Sequence, residues 1–163
     1  MYRLTVSNMR YKKVVFCSND CTYRAPVAVE VFKRKLDKMG LLEQIEVVAK
    51  GMLVMFPEPV NGKAVAIGKS KGYDLTKYRA LAIDEEDFSI DTLVLAMTEV
   101  SKQKLYDTYT SAINVYSVKE FIGVTGDVDM PFGKGLADYG ENFSQLEELI
   151  EQVAEKIEYM VNT

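Results

Sequence analysis

Short β-branched runs alternate with segments of helical periodicity along this chain, and few folds accept that alternation. Parallel strands need crossovers long enough to hold a helix. The pattern therefore predicts an α/β fold: a doubly wound, four-stranded, mainly parallel sheet with helices on both faces. The first strand is read at Lys13–Cys17, in the middle of the sheet, and the helix after it sets Val27, Val31, Phe32, Leu36 and Met39 on one face before Gly40 stops it. Lys33, Arg34, Lys35 and Lys38 fall mostly off that stripe and read as a solvated face. A second strand is expected at Ile45–Ala49, and "FPEPVNGK" turns into a helix beginning near Asn61. "TLVLAM", Thr92–Met97, is the best buried strand of the sequence. A helix capped by Thr98 follows, and "INVYSV" is the next strand. In the last helix Ser144 and Glu147 stand at capping-box spacing, ahead of Leu146, Leu149, Ile150, Val153, Ile157 and Met160 at helical spacing. The expectation is one domain over residues 1–163, with residues 1–12 as an extra strand or a loose arm.

Composition narrows the function classes. A chain of 163 residues with 48% hydrophobic content suffices for a single packed core. Its 20 lysines and arginines against 24 aspartates and glutamates give a net charge of −4, no electrostatic case for nucleic acid. No apolar run is long enough to span a bilayer, and the start "MYRLTVSNMRYKK" has no apolar signal core, so neither a membrane partner nor export is expected. Cys17 and Cys21, four residues apart in one loop, are not laid out as a secreted disulfide framework, and the cytoplasm is the expected compartment. Histidine is absent, which removes Ser-His-Asp and Cys-His catalysis and His-ligated metal sites. No cofactor or metal is expected. Any nucleophile must be activated by backbone dipoles or by arginine.

The stretch "KKVVFCSNDCTYRAPVAVEVF" (12–32) runs from an apolar strand through a polar loop directly into a helix. In such sheets ligands sit beyond the carboxyl ends of the strands. A polar loop entering a helix N-terminus points unpaired N–H groups and the positive end of the helix dipole toward an anion. The candidate phosphate-binding loop is Ser18, Asn19, Asp20, Cys21, Thr22, Tyr23 and Arg24. Arg24 adds a two-pronged donor for phosphate oxygens, and Pro26 suits the first turn of the helix. Spacing alone equally allows an ordinary strand-to-helix turn with a surface arginine.

With these residues in view, the sequence resembles the low-molecular-weight protein tyrosine phosphatases, whose signature is Cys-x5-Arg-Ser-Pro at the end of the first strand. Arg24, Ala25 and Pro26 look like the family's Arg-Ser-Pro, "VAVEVFKRKL" like its first helix, and "DTLVLAMTE" like its third-strand region. "GDVDMPFGKGLADYGENFSQLEELIEQV" is similar to the late loop bearing the family's Asp-Pro-aromatic general acid, followed by the terminal helix. The resemblance covers most of the chain and rests on the order and spacing of these segments rather than on any one intact motif. It implies a thiolate that attacks phosphorus, an arginine that binds the phosphate, an aspartic acid that protonates the leaving oxygen, and a phosphate or phosphorylated ligand as partner.

The register of both loops departs from that pattern. Six positions before Arg24 stands Ser18, with Cys17 one residue too early. Directly before Pro131 and Phe132 stands Met130, with Asp129 one residue too early. Ala25 replaces the hydroxyl that helps the thiolate leave. In one reading, insertions let Cys17 and Asp129 act as displaced nucleophile and acid, making an active aryl phosphate phosphatase. In the favoured reading Ser18 and Met130 occupy the catalytic positions, because a side chain one residue earlier on a strand faces the other side of the sheet. The chain is then a catalytically impaired, anion-binding or regulatory module. A third reading, a phosphocarrier using Cys17, is opposed by Arg24-Ala25-Pro26 and Pro131-Phe132. Asp20 puts a negative charge where phosphate should bind, unless it points outward, pairs with Arg24 or folds back onto loop N–H groups. No protein partner can be named from the sequence.

Overall fold

In the computed structural model, described over residues 10–131 and 133–162, four parallel strands stand in the order β2-β1-β3-β4. They are β1 (Lys13–Ser18), β2 (Glu46–Gly51), β3 (Thr92–Ala96) and β4 (Val115–Ser117). The helices are α1 (Arg24–Lys38), α2 (Gly62–Ser70), α3 (Glu99–Thr108), α4 (Val118–Phe121) and α5 (Leu136–Asn162), with a 3₁₀ turn at Glu85–Asp87. The expected doubly wound sheet is the observed one, and β1 lies inside it. Phe16 pairs with Ala49 on one side and Leu95 on the other, and Cys17 with Lys50 and Ala96. Of the expected N-terminal strand or arm, residues 1–9 lie outside the described residues; Tyr11 is buried and Lys12 N–H donates to Asp91 O at 2.8 Å.

Alternation along the strands divides the interior. Val14, Phe16, Val47, Leu93 and Leu95 face a large core shared with α1, α2, α4 and α5. Val15, Cys17, Val94 and Ala96 face a smaller one with Leu105 of α3, Ile83, Phe88 and Val115. At about 25 cal/mol per Å² of apolar surface, both sets favour one register, since a slip of one residue would exchange them.

Local signals fixed several ends. Gly40, at φ +73°, closes α1, and Leu41 N–H reaches back to Leu36 O at 2.8 Å. The side chains of Asn61 and Thr98 accept N–H groups of Lys63 and Ser101, capping α2 and α3. Two readings need correction. The pair Ser144 and Glu147 caps nothing, because α5 already begins at Leu136; Tyr139, Phe143, Leu146, Ile150, Val153 and Ile157 form one buried stripe that carries the helix through Gly140. Ser144 and Glu147 instead hold Lys71 of the turn after α2. Arg34 is not simply a solvated cation either. Its guanidinium lies 3.5 Å from the Tyr73 ring centre and donates to Lys71 O and Gly72 O, linking α1 to that turn. Among the described residues, no helix is long and apolar enough to cross a membrane.

Candidate functional site

The last residues of β1 decide what faces the loop. Cys17 is 1% exposed and packs into the smaller core, on the sheet face opposite α1. Burial, then Cys21, then Asp87 push its thiol far above the ordinary range. Ser18, the next residue, turns to the α1 side, and its Oγ accepts the Cys21 N–H at 3.2 Å. The one-residue difference noted in the sequence is thus a difference of sheet face.

The loop then folds on itself. Cys21 takes the left-handed conformation (φ +61°), unusual for a residue with a side chain, and its own thiol is buried and pushed up to about 11 by that burial. Asp20 folds back as the sequence allowed, its Oδ1 accepting both the N–H (3.1 Å) and the hydroxyl (2.9 Å) of Thr22. Among the described residues, the N–H groups of Asp20, Tyr23, Arg24 and Ala25 meet no protein acceptor, and the N-cap residue Tyr23 supplies no side-chain cap. Those of Tyr23, Arg24 and Ala25 are the orphan donors of α1's first turn, at the positive end of a 15-residue helix, and that of Asp20 belongs to the loop before it.

Arg24 starts that helix and is 7% exposed. One of its terminal nitrogens, Nη1, donates to Val128 O at 2.8 Å, whereas Nε is buried with no partner among the described residues. Burial pulls its pKa down from the ordinary value, while the charges of Asp20 and Asp129 pull it back up. A guanidinium does not lose its proton in a protein, so the shift expresses a buried cation that gains from an added anion. An unpaired buried N–H beside orphan helix donors is a geometry that an oxyanion satisfies.

The segment after β2 supports the loop. Met52 and Leu53 N–H donate to Ser18 O and Asn19 O at 3.0 and 2.8 Å. Gly51 is needed for that approach, since a Cβ there would stand 2.6 Å from Val54 Cγ2 and 3.1 Å from Asn19 O and from Cys21 Cβ. Leu53, Met55 and Phe56 on this segment are exposed.

The late loop is bolted down by its backbone. Arg24 holds Val128 O; Val128 N–H donates to Met97 O at 2.8 Å; Tyr23 Oη donates to Asn142 Oδ1 at 2.7 Å, and Asn142 Nδ2 to Asp129 O at 3.2 Å. In that register Met130 packs against the main core. The Asp129 side chain is exposed and lines a cavity of about 310 Å³ with Lys119, Asp127 and Gln145, to which no residue of Ser18–Arg24 contributes. Asp127 is engaged elsewhere, its Oδ1 accepting Glu99 N–H at the start of α3. Pro131 is buried, and Phe132 lies outside the described residues. Sequence reasoning missed Gly51, Asn142 and the Val128 carbonyl. All three act through tertiary contacts, and only Gly51, closing a strand beside a loop, left any trace in the sequence.

The family of low molecular weight phosphotyrosine protein phosphatases has a model that matches residues 13–162. The chain belongs to that family. The protein-arginine-phosphatase of Bacillus subtilis (strain 168) is 31% identical over 151 residues, covering 88% of this chain and 95% of that protein. The low molecular weight protein tyrosine phosphatase from T. tengcongensis superposes with a TM-score of 0.81 at 31% identity, over 88% of this chain and 98% of that one. The arginine phosphatase YwlE, solved as a Cys-to-Ser mutant with phosphorylated active site serine, also gives 0.81 at 31% identity, over 88% and 94%. The sequence resemblance to this phosphatase family and the α/β sheet read from the alternation of strand and helix periods are both confirmed.

Proposed function

We propose that this family member binds a phosphate-type anion in the loop Ser18–Arg24 and hydrolyses phosphate monoesters very slowly. The observation that carries the reading is the facing of the strand end: the hydroxyl of Ser18 lies on the loop side and the thiol of Cys17 on the other. A serine without a neighbouring base is a poor nucleophile, and Met130 has no proton for a leaving oxygen. Arg24, its Nε unpaired, and the open N–H groups of α1 support retained anion binding. The phosphorylated active site serine of the YwlE mutant supports a serine as neighbour to phosphate in such a loop. Exposed Leu53, Met55 and Phe56 favour a ligand with an apolar part beside its phosphate. Two buried free thiols favour a reducing compartment, the cytoplasm. The whole chain acts as one domain in this reading.

The competing reading, an active enzyme using Cys17 and Asp129, requires both side chains to move. A phosphocarrier on Cys17 meets the same obstacle. Turnover of 4-nitrophenyl phosphate by the unmodified chain and by Cys17→Ser separates them. Near-background rates unaffected by the substitution are expected; brisk turnover abolished in Cys17→Ser overturns the proposal.

A further inference from the structure

We infer that the outer edge of β2 pairs antiparallel with the same edge of a second copy of this chain, centred on Val48, and so joins two four-stranded sheets into one. This surface is independent of the anion-binding loop.

β2 stands at one end of the strand order and pairs with β1 on one side. The N–H groups of Glu46 and Met52 donate to Lys12 O and Ser18 O at 2.9 and 3.0 Å, so the even-numbered residues of β2 turn their backbone groups toward β1 and the odd-numbered ones turn theirs outward. At Gly51 the outward groups are taken: its N–H donates to Leu81 O at 2.8 Å, and its carbonyl accepts Ile83 N–H at 2.9 Å. At Val47 and Ala49 the outward N–H and C=O groups have no partner among the described residues. Val47 sinks its side chain into the main core, and Ala49 packs against that core, so backbone is what they offer at the edge. Such an edge is a template for another strand.

Charge and symmetry select the strand that fits. The edge reads Glu46, Val47, Val48, Ala49, Lys50. A twofold rotation about Val48 sets Val47 opposite Ala49 of the second copy, where each N–H meets the other's C=O, and the axis repeats the pair. The same rotation sets Glu46 opposite Lys50 of the second copy, at the non-hydrogen-bonded positions where side chains approach most closely. Other registers lose this match. Centred on Val47, Glu46 would face Val48 and Lys50 would face Gln44; centred on Ala49, Val47 would meet Gly51, whose outward groups are occupied.

The ion pairs within one chain leave these charges available. Glu46 is exposed and has no ion pair among the described residues, while Lys13 and Lys50 share Asp87, at 3.5 and 3.7 Å from its Oδ1. Glu46 of the second copy supplies the carboxylate that those two ammonium groups lack. A lysine on a free edge repels most strands. Here a glutamate at the symmetric position admits this one. Because Leu81 and Ile83 end the edge at Gly51, the pairing is short and the dimer weak, favoured by high concentration and low salt.

The test is sedimentation equilibrium of the intact chain from about 10 μM to about 1 mM. A dimer that dissociates on dilution and with added salt is expected. Ala49→Pro should abolish it and keep the circular dichroism of the fold, since proline is tolerated where an edge N–H faces outward. Glu46→Lys and Lys50→Glu each set like charges opposite one another and should weaken the dimer about two- to thirtyfold. An equimolar mixture of those two variants should associate again, because each then faces opposite charges. In the unmodified chain, hydrogen exchange at Val47 and Ala49 should slow as concentration rises, with Val48, turned toward β1, unchanged. That readout needs no variant. A monomer at every concentration, a dimer that persists in folded Ala49→Pro, a mixture that associates no better than either variant alone, or exchange at Val47 and Ala49 that ignores concentration overturns the inference.

Discussion

The first loop and the late loop both depart from the family pattern at the catalytic position, yet the two departures differ in kind. In the first, Ser18–Arg24 keeps the strand end, the helix N-terminus and the arginine, and changes the side chains at Ser18 and Asp20, with Ala25 just after. In the late loop, four backbone or amide contacts lock a register in which Met130 faces the core and Asp129 faces a separate cavity. Anion binding is built mostly from main-chain donors, which survive substitution. Acid catalysis needs one carboxyl at one position, which does not.

The sharpest test of that contrast restores both side chains. Ser18→Cys with Met130→Asp should raise turnover of 4-nitrophenyl phosphate by about a hundred- to ten-thousand-fold, with Ser18→Cys alone gaining less. No gain in a double variant that still binds inorganic phosphate would mean that the first loop has lost more than its nucleophile. Arg24→Met should weaken inorganic phosphate binding by roughly ten- to a hundredfold, measured by calorimetry. It should also loosen the late loop, because Val128 O loses its donor, and faster hydrogen exchange of Asp129–Met130 is the readout.

Gly51→Ala addresses the support of the first loop and should destabilise the fold by about 1–3 kcal/mol in urea unfolding, since Val54 and the Asn19 carbonyl must both shift. An unchanged midpoint would mean that the loop is looser than its contacts imply. The buried Cys21 thiol gives a pH signature. Its folded pKa of about 11 exceeds an unfolded value of about 8.5, so between them the unfolded chain holds fewer protons and stability falls as pH rises. That contribution is fully present below about pH 8.5 and lost as pH rises through 11; Cys21→Ala should flatten the decline seen in urea midpoints. The smallest effect belongs to Asp20→Asn, which should tighten inorganic phosphate binding by about two- to fivefold at low salt and less at high salt, because Asp20 is exposed and screened. A weaker complex would instead mean that the Asp20 charge itself helps to shape the loop, since an amide oxygen still accepts the Thr22 N–H and hydroxyl.

Much of this was legible in the chain itself. The alternation of strand and helix periods determined the parallel sheet, because each period allows only one way to bury its apolar residues. The order of Arg24-Ala25-Pro26 and Met130-Pro131-Phe132 along the chain marked both loops, and period two along β1 already separated Cys17 from Ser18. Local chemistry went astray at Ser144 and Glu147, where a capping spacing lay inside a helix whose start was set by Tyr139 and Phe143 packing on the core.

Only the tertiary structure decided which donors stay open. That Arg24 spends one nitrogen on Val128 O and leaves Nε unpaired among the described residues, and that Asn142 bridges Tyr23 to Asp129, depends on groups up to 119 residues apart in sequence. Periodicity reports which face of an element is buried, and a hydrogen bond between distant elements leaves no period to read. The sequence therefore determined the frame and the side chains at its two loops, while folding alone determined which polar groups remain unsatisfied and ready for a ligand.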